Sequence, residues 1–262
     1  MKLPVTKFPQ TRLPINTTSM NNRRTQKLIW VASIFLASIG VIIVIRRFFF
    51  LIPVLENTYL PAAPVAGVPQ FPEEGFVNNP WLTLVHILPG LLFVGFGLTQ
   101  FVKRIRQKKP AFHRGAGRVV LASGLIIGFT GVVMGFKMSI SGVTETAATT
   151  LFGILFLFSL VKGFLHIRKR NISSHREWMI RAFAIGLAVT TTRPIVGIFF
   201  ATSSLTGLTP RDFFGTALWI GFTIHLIAAE VWINYTRPHD ARLVSQTFTR
   251  RERHSESATG KM

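Results

Sequence analysis

Six apolar segments leave this chain few ways to fold. They run from Leu28 to Ile45 with an extension over Phe48 to Leu51, then Trp81 to Val102, Val119 to Phe136, Ala147 to Leu165, Trp178 to Phe200 and Phe213 to Asn234. A helix rising 1.5 Å per residue needs about 20 such residues to cross a hydrocarbon layer of about 30 Å. No water in that layer satisfies a bare backbone, so only helices and closed barrels span it. Long runs without strict alternation favour helices. The expected fold is an all-α integral membrane protein with six transmembrane helices. Composition agrees, since 48% hydrophobic and 15% charged residues with a mean hydropathy of +0.40 are too apolar for an ordinary soluble domain.

The formal charge of +20, from 30 Lys and Arg against 10 Asp and Glu, would suggest nucleic acid in a soluble chain. Here the bases lie in tails and short loops beside apolar runs, so no nucleic-acid partner is expected and membrane orientation explains them. Lys103 to Arg118 and His166 to Arg176 are strongly basic, while 137–146 and 201–212 hold one basic residue each. Pro53 to Pro80 contains Glu56, Glu73 and Glu74 but no Lys or Arg. The positive-inside rule then puts both termini and both basic turns in the cytoplasm, with the chain in a bacterial inner (plasma) membrane. Arg46 and Arg47 stand against the rule at the outer end of the first span, and snorkelling is the only account the sequence offers. Residues 1–27 carry no acid and have prolines at 4, 9 and 14, the pattern of a disordered cytoplasmic arm. Residues 28–237 form the six-helix domain, and 238–262 a disordered basic tail.

Two motifs recur where a basic turn gives way to a span. His113-Arg114-Gly115-Ala116-Gly117-Arg118 opens the third span and His175-Arg176-Glu177-Trp178-Met179-Ile180-Arg181 the fifth, each with a further Arg inside the new helix. This is a weak repeat of helix-loop-helix hairpins, spans two–three and four–five. If the hairpins pack alike, the two motifs meet at one cytoplasmic-side site, and its positive charge calls for an anion. A lipid phosphate, a quinone oxygen or a haem propionate could supply it, with Glu230 as an internal contribution. Otherwise each motif is an independent interfacial anchor, and anionic phospholipid is the expected neighbour either way.

Periodicity sorts the polar groups inside the spans. His86, Gly90, Phe93, Gly97 and Gln100 share one face of the second span, a surface that must meet protein or a cavity. Gly117, Gly124, Gly128, Gly131 and Gly135 line the third span, where small residues let helices approach closely in lipid or make room for a flat cofactor. Glu230 should match Arg181 in depth, so a buried pair is expected to neutralise both. His225 lies near mid-span, and five residues of about 100° each turn it away from Glu230 to different neighbours. Arg193, before Pro194, either snorkels outward or joins His86 and His225 in an outer polar cluster.

Spread over Leu84 to Asn234, the residues His86, Gln100, His113-Arg114, Gly117-Arg118, His175, Trp178-Met179, Arg181, Arg193 and Glu230 resemble the pattern of an uncharacterised multipass membrane family, domain of unknown function 2306. The resemblance implies a membrane fold and carries no activity. The chain has no cysteine, which excludes disulfides, thiolate metal sites and a Cys nucleophile. It also lacks H-E-x-x-H, a phosphate loop and G-x-S-x-G, so no catalytic set, metal site or oligomeric state is assigned. Three classes remain. The first holds a redox cofactor, b-type haem or quinone, on His86, His225, His113 and His175. The second is a transporter or lipid-handling protein using His113, Arg114, Arg118, His175, Arg176 and Arg181 for an anionic group. The third is a structural or assembly subunit without chemistry. Redox-cofactor binding comes first, although His86 and His225 differ in depth by about 10 Å at 1.5 Å per residue.

Overall fold

The computed structural model describes residues 18–61 and 70–237, with side chains from Arg24 onward. The arm expected over 1–27 thus lies outside the described residues up to residue 17, as does the tail expected over 238–262. Among the described residues every regular element is a helix: α1 (Thr18–Leu55), α2 (Glu74–Asn78), α3 (Pro80–Gln100), α4 (Lys103–Lys108), α5 (Pro110–Lys137), α6 (Val143–Arg168), α7 (Ile172–Thr206) and α8 (Pro210–Thr236). Six of them, α1, α3, α5, α6, α7 and α8, are long and apolar enough to cross a membrane. Five of them contain their expected spans and run past them at both ends, while α3 ends at Gln100, two residues short of the expected Val102. The largest extensions are α1, which starts at Thr18 rather than Leu28, and α7, which starts at Ile172 and ends at Thr206.

Local chemistry explains where the helices stop and start. Pro80, Pro110 and Pro210 open α3, α5 and α8, where a missing N–H costs nothing and the fixed φ already suits a helix. Thr209 and Asp212 form a reciprocal capping box at the start of α8. Asn171 accepts the Ser174 N–H at 3.1 Å to cap α7. Gly207, at φ +69°, ends α7 in the left-handed conformation that side chains disfavour.

The helices pack in the order α3–α5–α6–α7–α8, with α1 bridging α3 and α7. Phe93 of α3 is at the centre, 1% exposed, edge-on to Phe156 of α6 and tilted against Phe183 of α7. It fits because Gly124 of α5 and Gly186 of α7 face it: a Cβ would meet its ring at 3.2 and 2.5 Å respectively. The glycine stripe on α5 therefore serves packing. Gly128 and Gly135 receive α6 side chains, while Gly117 and Gly131 receive Gln100 and His86 of α3. Lipid tails are as apolar as these side chains, so close fit and dispersion, rather than escape from water, hold such helices together.

Both basic turns, with the ends of α3, α6 and α8 and the starts of α5 and α7, lie at one end of the bundle, the basic end. The described parts of the Pro-rich segment and the turns 138–142 and 207–209 lie at the opposite end. The α3–α5 connection contains α4, which has no counterpart between α6 and α7.

Candidate functional site

At the basic end, α5 and α7 bring His113 and His175 within electrostatic reach of each other, and Arg106 of α4 is within reach of both His113 and Arg176. The His175 Nδ1–H donates to the Gly163 carbonyl of α6 at 2.8 Å. That bond places a proton on Nδ1 and turns Nε2 away from Gly163. His113 Nδ1 is buried and has no hydrogen-bond partner among the described residues. Arg176 donates to the Thr236 hydroxyl at 2.8 Å. Arg114 and Arg118 are exposed and make no ion pair among the described residues.

The two described acids at this end are already committed. Arg181 binds Glu230 through two bonds, 2.5 and 2.9 Å, and its guanidinium lies 4.6 Å from the Trp178 ring centroid. Glu177 takes a bidentate bond from Arg237, 3.0 Å on each arm, and raises that guanidinium above the usual arginine range. Glu230 is thus spent on Arg181 and is not a free anion for the two His-Arg motifs. Gln100 lies against the backbone of Gly117, one turn along from His113, where a Cβ would come within 3.2 Å of its Oε1.

The two histidines within the spans are separate. His86 Nδ1 lies 2.9 Å from the Thr130 hydroxyl of α5, which itself donates to the Ile126 carbonyl at 2.7 Å. With its one hydrogen used, Thr130 accepts, so His86 carries the proton on Nδ1. His225 Nε2 pairs with the Thr191 hydroxyl of α7 at 2.7 Å. The expectation that His225 and Glu230 turn to different neighbours needs refining, because both reach α7. Two residues about 140° apart flank one helix–helix seam at about 70° on either side, so a single partner helix serves both.

Arg47 is buried at the opposite end, 7% exposed, in an ion pair with Glu73 and over the Phe76 ring at 3.8 Å. Snorkelling is therefore not what holds it. An aromatic and carboxylate partner folds back from the Pro-rich segment. Arg193 lies near Phe214, 6.0 Å from the ring centroid, within electrostatic reach of Arg46, Arg47, Glu73 and Glu145. Neither His86 nor His225 bonds to it. Glu145 accepts from the Ile140 and Ser141 N–H groups at 2.6 and 2.9 Å and from the Ser139 hydroxyl at 3.3 Å, closing the α5–α6 turn. The Arg47–Glu73 pair joins parts of the sequence 26 residues apart, and helical periodicity carries no signal for it or for the local Glu145 cap.

A family described as "Predicted membrane protein (DUF2306)" matches residues 83–233, more than half of the chain. The chain belongs to the DUF2306 family. The matched region takes in α3 to α8 almost whole and so contains both His-Arg motifs and the Arg181–Glu230 pair. It leaves out α1 and the Pro-rich segment that Arg47 grips. No curated protein and no solved structure matches this DUF2306 member. Among its described residues no group of three or more His, Cys, Asp or Glu could hold a metal ion.

Proposed function

We propose that this membrane protein binds a phosphate-bearing anion, an anionic phospholipid headgroup foremost, at the cytoplasmic face between α4, α5 and α7. The observation that carries most weight is His113 Nδ1, buried and unbonded in the same neighbourhood as His175, Arg106 and Arg176. Nearby carboxylates are already paired with Arg181 and Arg237, so an external oxyanion is the missing acceptor. Arg114 and Arg118 attract the ligand, and the two histidines orient it. Both termini lie in the cytoplasm of a bacterium on this proposal, because basic loops stay on that side.

Native mass spectrometry of the detergent-purified protein tests it. Phosphatidylglycerol should be retained in preference to phosphatidylcholine, and His113→Ala with His175→Ala should cut that retention about tenfold, the effect of losing two charge-assisted bonds. Lys108→Gln and Lys169→Gln should change little. Equal retention of the two lipids, or no effect of the histidine changes, refutes the site.

A second reading keeps the redox class. His175 gives its Nδ1–H to a backbone carbonyl, as metal-ligating histidines do, with Nε2 free and His113 close by. A b-type haem between these two histidines would show a Soret band that shifts on dithionite reduction and disappears in His175→Ala. A bound quinone would appear in the same mass spectra. Finding lipid, haem and quinone all absent would leave the structural or assembly role.

A further inference from the structure

We propose a second site, at the opposite end of the bundle, where Arg193 holds an oxyanion beside the segment that carries Glu73. Arg193 sits on α7 facing α1 and the start of α8, half-buried against Phe214. Among the described residues it makes no hydrogen bond or ion pair. A guanidinium inside a membrane bundle without an acceptor is costly, because five donors leave water and only an aromatic face replaces it.

The two carboxylates within electrostatic reach bond other groups rather than Arg193. Glu73 is locked to Arg47, and Glu145 Oε2 already accepts from Ser139, Ile140 and Ser141. Arg46, Arg47 and Arg193 lie in one electrostatic neighbourhood with only these two acids, an excess of one positive charge. A monoanion balances it. The planar fork of Arg193 suits a carboxylate or phosphate that takes two parallel bonds. Phe214 walls one side, and Phe71, edge-on to Phe214 at 5.5 Å, brings the Pro-rich segment against the same ring. Such a ligand would enter from the face opposite to the basic end, so the site is distinct from the one around His113 and His175.

The oxyanion can come from a lipid headgroup or from a small solute, and thermal unfolding of the full-length protein in nanodiscs separates them. Phosphatidylcholine discs titrated with inorganic phosphate or with benzoate test the solute, and discs containing phosphatidylglycerol test the lipid. At least one probe is expected to raise the unfolding midpoint of the wild type. Arg193→Gln should lose a part of that rise that His175→Ala keeps, which distinguishes this site from the cytoplasmic-face site whichever of the two exists. Arg193→Lys keeps the charge without the fork and should need about tenfold more probe for the same rise. It also provides the decisive comparison if the Gln variant fails to fold. A wild type that no probe stabilises, a rise undiminished in Arg193→Gln, or an Arg193→Lys variant with wild-type affinity overturns the proposal.

Discussion

At the basic end of the bundle, cations outnumber the carboxylates that could hold them, whereas at the opposite end most charges are matched within the chain. The first end has Glu230 on Arg181 and Glu177 on Arg237, with Arg106, Arg114, Arg118 and His113 left over. The second has Glu73 on Arg47, Glu74 on Arg211, Glu145 on the α5–α6 turn, the Thr209–Asp212 box and a left-handed Gly207, with Arg46, Lys137 and Arg193 outside any ion pair among the described residues. One end thus closes largely on itself, and the other leaves most of its bases without a carboxylate among the described residues. The difference follows from position. A basic loop facing anionic headgroups can leave its bases for the lipid to satisfy, but charges that fold back over the bundle must be satisfied from within.

The contrast fails outright if the two ends do not lie on opposite sides of the membrane, and that test has the largest expected effect. Alkaline phosphatase fused after Gly142 should be active and fused after Asn171 inactive. The reverse pattern would invert the proposed orientation.

Next comes the Arg47–Glu73 pair, with side chains 8% and 20% exposed. Glu73→Gln strands a buried guanidinium and should cost about 3 kcal/mol, the lower end of the range for breaking a buried pair. Denaturation in detergent reads this out, and a loss under about 1 kcal/mol would show that the segment does not seal this end.

The Arg181–Glu230 pair sharpens the comparison because its two sides differ, at 16% and 41% exposed. Glu230→Leu leaves the more buried partner alone and should cost about 2 kcal/mol, more than Arg181→Met, whose stranded carboxylate is screened by solvent. The double change should recover part of the loss. Strict additivity in the cycle would mean that the two groups do not interact.

The smallest effect belongs to Arg211→Gln. Its 3.6 Å pair with Glu74 is 68% and 74% exposed, so stability should move by less than about 0.5 kcal/mol. A larger loss would mean that exposed pairs too hold the opposite end shut.

Much of this was legible in the sequence, for a physical reason. A span is a local property: about 20 apolar residues must satisfy their backbone within one helix, so hydropathy places all six without knowledge of the partners. The extra turns beyond most spans were not legible, because polar and charged residues at helix ends look like loop in a hydropathy reading. Depth along a helix is also local, so residues equally far from their span ends, such as Arg181 and Glu230, could be matched by counting. The direction a side chain faces is not local. His86 and His225 look alike as intramembrane histidines, yet one bonds α5 and the other α7, because helix order in the bundle decides the partner. Arg47 looked like a violation of the charge rule until Glu73, 26 residues on, folded back over it. The sequence determined how many helices cross the membrane and where their charges lie. Tertiary structure alone decided which charges are satisfied from within and which are left unpaired among the described residues, since ion pairs between helices depend on the packing angle and order that no single segment encodes.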